Sequence, residues 1–230
     1  IIAFQRNLTN PEKLEVYNYL NAKWMTRVTL KNAIDYLPLA TNATNLGTNP
    51  QTVTTFGTVS YGVVDGKACA GFPNSFGTYL RFPYTNPEKF TLCFWLRPGD
   101  ATYYTAISIT NSAISSPALQ VDTISSTQVR VFAALPNNWN FVTGSSAVTT
   151  WTHYAVTINQ ITFVEELYVN GSRVDSTTGT GSALGTRDTF VLGKDGSGAR
   201  AYFGQIRQFA VFNTILTPYE VRDIYLATID

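Results

Sequence analysis

The sequence predicts an all-β sandwich or barrel with a short helix near each end. Three observations carry that reading. After residue 50 the chain breaks into many short runs rich in β-branched and aromatic residues. Gly, Pro, Asn and Ser clusters separate these runs, as they separate strands joined by turns. Only two stretches have apolar residues at helical spacing, and both begin at a proline. Strands without alternating helices exclude a βαβ fold.

Taken in order, Ile1–Trp24 reads as strand end, turn and helix. Asn10 is the expected N-cap, Pro11 the first helical residue, and Glu12 complements the N-terminal dipole. Leu14, Tyr17, Leu20 and Trp24 recur on one helical face. Thr41–Pro50 is loop chemistry. Strands are then expected at Val59–Val64, Lys67–Phe72, Tyr79–Phe82, Phe90–Arg97, Thr105–Ile109 and Ala118–Val121. More follow at Gln128–Ala134, Thr152–Ile158, Phe163–Val169, Arg173–Asp175, Thr189–Leu192 and Ala201–Phe212. Asn170-Gly171 between two alternating arms predicts a two-residue type I′ hairpin. A second helix follows, with Thr217 as cap, Pro218 at its first position and Glu220 completing a capping box.

The two ends echo one another. Phe4–Thr9 has the spacing of Phe212–Thr217, and each is followed by a proline-started helix that reaches Tyr-Leu. The expected organisation is therefore residues 1–25 as the strand–turn–helix tail of a preceding similar domain, 26–35 as linker, and 36–230 as the sandwich.

Composition bounds the function. The 230 residues hold 16 Lys+Arg against 15 Asp+Glu, a net charge of +1. That balance excludes the basic surface that neutralises nucleic-acid phosphates. No apolar run is long enough to span a membrane. Charged residues are only 13% of the chain, and 32 threonines supply much of the polarity. Low surface charge suits a domain packed among neighbours. Cys69 and Cys93 lie in apolar strand text and read as two buried free thiols.

Several motifs together resemble a laminin-G-like domain of the concanavalin-A-like lectin/glucanase superfamily. They are Lys67–Phe72, Gly77–Leu80, Phe90–Pro98, Trp151–Thr157, Leu167–Gly171, Phe190–Gly193 and Phe203–Phe212, in the family's order. The resemblance implies a jelly-roll sandwich of two antiparallel sheets. That fold hosts lectins, glycosidases, adhesion modules and structural domains.

Chemistry on this fold needs paired carboxylates. The adjacent pair Glu165-Glu166 points to opposite faces of a strand and is expected at a solvated hairpin arm. The single histidine, His153, reads as hydrogen-bonded core, with no nucleophile paired to it. No catalytic residue is therefore assigned. Calcium is the candidate metal, with Asp195 and Asp100 as its loop carboxylates. For glycan contact the candidates are Trp139 among Asn137, Asn138 and Asn140 in an expected hairpin loop, and Tyr103 with Tyr104 at a strand entry. The expected function is a non-catalytic glycan-binding or adhesion module, extracellular or on a virion surface, within a larger chain or assembly. Its partners are a glycan or neighbouring protein subunits. A structural component of a virus or phage particle is the second reading, and a glucanase-like enzyme the third.

Overall fold

The computed structural model describes residues 6–13, 15, 16, 28–111, 118–135, 138–179 and 187–229, with 134, 135 and 138–140 described by backbone only. The described residues form fifteen strands: β1 (Asp35–Leu37), β2 (Thr54–Phe56), β3 (Ser60–Val64), β4 (Lys67–Pro73), β5 (Tyr79–Pro83), β6 (Lys89–Pro98), β7 (Tyr104–Thr110), β8 (Leu119–Ser125), β9 (Gln128–Leu135), β10 (Asn138–Ser145), β11 (Thr152–Asn159), β12 (Val164–Val169), β13 (Ser172–Thr178), β14 (Thr189–Leu192) and β15 (Phe203–Phe212). Helix α1 (Pro218–Thr228) closes the chain. All strand pairs are antiparallel. An eight-stranded sheet runs β13-β12-β11-β6-β15-β4-β3, with β1 also paired to β15. A seven-stranded sheet runs β10-β9-β8-β7-β14-β5-β2. This is the jelly-roll sandwich expected.

The core between the sheets is aromatic at its centre. Phe190 packs on Phe82 at 5.2 Å, on Phe209 at 5.4 Å and on Tyr84 at 4.6 Å between ring centroids. Such offset and edge-on pairs add roughly 0.5–1.5 kcal/mol each beyond area burial. Phe209 reaches this cluster because β15 carries one extra residue. Arg207 pairs with Trp95, but Ala210 pairs with Cys93, so the ladder slips between them. Gln208 takes φ +51 there, and its N–H donates to the Pro38 carbonyl at 3.1 Å. Such a bulge switches which face the later residues occupy. Phe209 and Val211 then face the core, while Ala210 and Phe212 face outward.

That outward row seats helix α1. Ala210, Cys93, Ala155 and Tyr168 are aligned by register across β15, β6, β11 and β12. Three of the four side chains are small, which lets Val221 and Ile224 of α1 sit down on them. Thr217 and Glu220 form the expected capping box, with Thr217 N–H to Glu220 at 2.7 Å. Trp95 Nε1 donates to Thr228 Oγ1 at 3.0 Å, which pins the helix end. Cys93 lies in this layer as a buried free thiol, like Cys69, and burial pushes its pKa up.

The hairpin turn is type I′, with Asn170 at φ +48 and Gly171 at φ +76. Gly171 also faces α1 closely: a Cβ there would lie 3.0 Å from Tyr225 Cδ1.

Other expectations need correction. The N-terminal helix is capped by Thr9, not Asn10, because the Glu12 carboxylate reaches back to the Thr9 N–H and hydroxyl, both at 2.8 Å. Asn10–Lys13, Glu15 and Val16 are helical; Leu14 and 17–24 lie outside the described residues. Within the stretch 26–35, Leu30–Asn32 form a 3-10 turn, and Val28, Leu30 and Ala33 pack in the layer beneath α1.

The bulge gives a direct test. Gln208→Gly should leave thermal stability close to wild type, since glycine accepts positive φ without steric cost. Gln208→Val should lower it by about 1–2 kcal/mol more than Gln208→Gly. Deleting Gln208 should abolish the cooperative transition in a calorimetric scan, because it turns Phe209 out of the core.

Candidate functional site: the outer face of the seven-stranded sheet

Residues on the outward side of the seven-stranded sheet form one row, exposed at its β10 end by Phe141, with Val191 and Ser108 fully buried and Gln120 and Phe132 nearly so. Thr54, Arg81, Val191, Ser108, Gln120, Phe132 and Phe141 are aligned by register across β2, β5, β14, β7, β8, β9 and β10. Strand spacing makes this row roughly 29 Å long. Alternation explains it: Val129, Val131 and Ala133 face the core, so Arg130 and Phe132 between them face out.

At the β10 end the row is aromatic and basic. Phe132 and Phe141 lie 6.0 Å apart, and Phe141 is 48% exposed. The Arg130 guanidinium sits over both rings, 4.2 Å from Phe132 and 5.3 Å from Phe141. Beside it is a polar cluster. Asp122, fully buried and paired by register with Arg130, accepts from Tyr103 Oη at 2.9 Å and Thr105 Oγ1 at 2.6 Å. Arg200 Nη1 stands 3.8 Å from Asp122, and its guanidinium covers the Tyr103 ring at 4.3 Å. Burial raises the pKa of Asp122, and the two hydroxyl donors and the arginines oppose the rise. Burial and the Asp122 charge raise Tyr103 as well. At the other end of the sheet Phe56 stacks on Tyr79 at 4.3 Å, with Lys194 Nζ 3.9 Å from the Tyr79 ring. A cavity of about 510 Å³ opens there, lined by Thr54, Phe56, Arg81 and Asp188 among others.

The expected ligand residues are distributed as follows. Tyr103 is half-buried within the polar cluster. Tyr104 belongs to the core: it is 7% exposed, and its hydroxyl is spent on Asp100 at 3.2 Å. Adjacent positions on a strand face opposite ways, which separates the two tyrosines. Asn138, Trp139 and Asn140 lie in strand β10, not in a hairpin loop, with Trp139 paired to Ala134. Asn137 lies outside the described residues. Arg130, Phe132, Phe141 and Arg200 were not singled out from the sequence, although the alternation in β9 carried the signal for two of them.

The two calcium carboxylates act on their own loops. Asp100 accepts from the Thr102 N–H at 2.8 Å, and that bond lowers its pKa. Asp195 accepts from Ser197 Oγ at 2.8 Å and the Ala199 N–H at 2.9 Å, while its own N–H donates to the Arg200 carbonyl. Asp195 thus closes the turn that carries Arg200 to Tyr103. Among the described residues no group of three or more His, Cys, Asp or Glu side chains could hold a metal ion.

Glu165 and Glu166 do occupy opposite faces of β12, but the expectation of a solvated arm fails. Glu165 is 0% exposed and faces between the sheets, with both carboxylate oxygens unpartnered. Burial and the nearby Asp175 hold its pKa well above the usual value. Glu166 bonds Tyr168 Oη at 2.8 Å and Arg173 Nη1 at 2.6 Å. His153 is buried as expected, but neither ring nitrogen has a hydrogen-bond partner. Its ring packs on Trp95 and Tyr225, and burial, then Arg207, pushes its pKa down to about 3.

A family model described as the concanavalin A-like lectin/glucanases superfamily, of laminin-G type, matches residues 74–222. The chain belongs to that superfamily. Among solved structures, the Type G botulinum neurotoxin receptor-binding domain is similar to this laminin-G-like domain at TM-score 0.66 and 16% identity, over 85% of this chain and 51% of that one. The serotype D binding domain gives TM-score 0.70 and 18% identity, over 87% and 53%. The receptor-binding domain of the C/D mosaic serotype gives 0.68 and 17%, over 87% and 52%. The chain spans about half the length of these structures, and the likeness establishes the shared fold. A search of the curated proteins returns no match.

Two outcomes test these assignments. Asp195→Ala should lower stability by about 1–3 kcal/mol through the lost turn hydrogen bonds. Glu165→Gln probes burial of the acid. A folded-state pKa above the unfolded value of about 4.3 means that wild-type stability falls as pH rises through that window. Urea titrations should therefore find Glu165→Gln gaining on wild type between pH 4 and pH 8; a pH-independent difference would contradict this.

Proposed function

We propose that this laminin-G-like domain is a non-catalytic binding module of a larger extracellular or surface protein, and that its ligand is a glycan. The observation that carries the reading is the Arg130 guanidinium over Phe132 and half-exposed Phe141, next to the Tyr103–Asp122–Arg200 cluster. Sugar rings have apolar faces that stack on aromatic rings and hydroxyls that bond carboxylates, guanidinium groups and amides. This corner offers the half-exposed Phe141 ring and the Arg130 guanidinium on strands, with Tyr103 and Arg200 beside them. Strand β10 adds Asn138, Trp139 and Asn140 to the same end of the sheet. The receptor-binding role named for the botulinum domains supports a binding role for the shared fold. Glu165 and Glu166 on opposite faces of β12 argue against glucanase chemistry, which needs two carboxylates across one sugar bond.

A packed component of a virus or phage particle is a compatible second reading. It draws on the 13% charge content and on exposed Val63, Tyr219, Leu226 and Ile229. On the first reading, a glycan array identifies a ligand for the isolated domain. Phe141→Ala and Arg130→Ala each then weaken binding about tenfold, worth about 1.4 kcal/mol. Tyr219→Ala, on α1, leaves affinity unchanged. No binding on the array, or equal binding by Phe141→Ala and wild type, contradicts it.

A further inference from the structure

The described N-terminal segment repeats the helix entry that closes the sandwich, and among the described residues its apolar side chains join neither hydrophobic cluster. Its capping box reproduces that of α1. Thr9 N–H and Oγ1 donate to Glu12 Oε2 at 2.8 and 2.8 Å, and Thr217 N–H and Oγ1 donate to Glu220 Oε2 at 2.7 and 2.8 Å. The helix is entered alike, with the Lys13 N–H on the Thr9 carbonyl at 2.9 Å and the Val221 N–H on the Thr217 carbonyl at 3.0 Å.

Superposing the two boxes sets one register, in which Lys13 falls at Val221 and the prolines and the Tyr-Leu pairs stand one and two positions out of step. Leu8 then corresponds to Leu216, Val16 to Ile224, and by sequence Phe4 to Phe212 and Tyr17 to Tyr225. In the C-terminal unit, Phe212, Leu216 and Ile224 are buried on the outer face of the eight-stranded sheet. In the N-terminal unit, Leu8 and Val16 are only half-buried and belong to neither hydrophobic cluster of the sandwich. Among the described residues, the side-chain hydrogen bonds of 6–13 stay within that segment, including the pair Arg6–Glu12. The seat that α1 occupies here is filled, so the segment cannot take it without displacing α1.

We propose that residues 6–16 are the closing unit of a second laminin-G-like sandwich, and that Leu8 and Val16 dock on the outer face of that partner's larger sheet as Leu216 and Ile224 dock here. The partner is a domain of this same fold. Val28, Leu30 and Ala33 pack beneath α1 only a short distance along the chain.

The test exchanges the closing units. In one chimera the sequence of residues 4–20 replaces residues 212–228 of the 230-residue chain. A control chimera is identical except for Ser at the positions of Leu8 and Val16. The proposal expects the first chimera to melt cooperatively and the control to lose its transition or melt at least about 10 °C lower, the scale of a lost core contact. In the wild-type chain, amides of 6–16 should exchange with deuterium at least a hundred times faster than those of α1. Chimeras that are equally unfolded, or equally stable, overturn the proposal. So does protection of 6–16 by the sandwich of its own chain.

Discussion

One extra residue in β15 decides what both faces of the larger sheet can do. Up to Arg207 the strand follows a regular alternation, with Ile206 in the core and Arg207 outside. The bulge at Gln208 reverses that alternation. It sends Phe209 into the aromatic cluster with Phe82, Phe190 and Phe94. It also lines up Ala210 with Cys93 and Ala155 as the shallow floor on which α1 rests. A strand without the bulge could supply the core or the floor in register, but not both.

The consequence is a division between the two outer faces. The centre of the larger sheet's outer face is covered by α1: Trp95 binds the helix end, and His153 and Arg207 are enclosed with it. An imidazole held there without partners stays neutral through the physiological range. The smaller sheet's outer side carries no helix among the described residues; the middle of its row, Val191, Ser108 and Gln120, is buried, and solvent reaches its ends at Thr54 and Phe141. With so few charges in the chain, Arg81, Arg130, Lys194 and Arg200 on or beside that face represent a concentration of what charge there is.

How much of this was legible in the sequence follows from how local each cause is. The long strands were legible because β-branched and aromatic alternation is a property of neighbouring residues. The hairpin at Asn170-Gly171 and the α1 capping box are likewise local chemistry. Strands β1 and β2 have three residues each, too few to show a period. Strand β10 was hidden because Pro136 and three asparagines mimic a loop, whereas pairing with β9 over eight residues outweighs that composition. The bulge was illegible, since nothing in Arg207-Gln208-Phe209 marks a positive φ. The site was half legible. Tyr103 was singled out from the sequence and stands in the polar cluster, but the separation of Tyr103 from Tyr104, and the arrival of Arg200 on a turn closed by Asp195, depend on tertiary placement.

The account stands most directly on where a ligand touches the molecule. Backbone amide NMR shifts, followed while the best glycan from an array is titrated into the isotope-labelled chain, measure this residue by residue. The account predicts saturable shifts clustered at Arg130, Phe132, Phe141 and Asp122, with Trp95, His153 and Ala210 beneath α1 unmoved. Shifts confined to the α1 face, or to the loop at Asp195–Arg200 without β9 and β10, would contradict it.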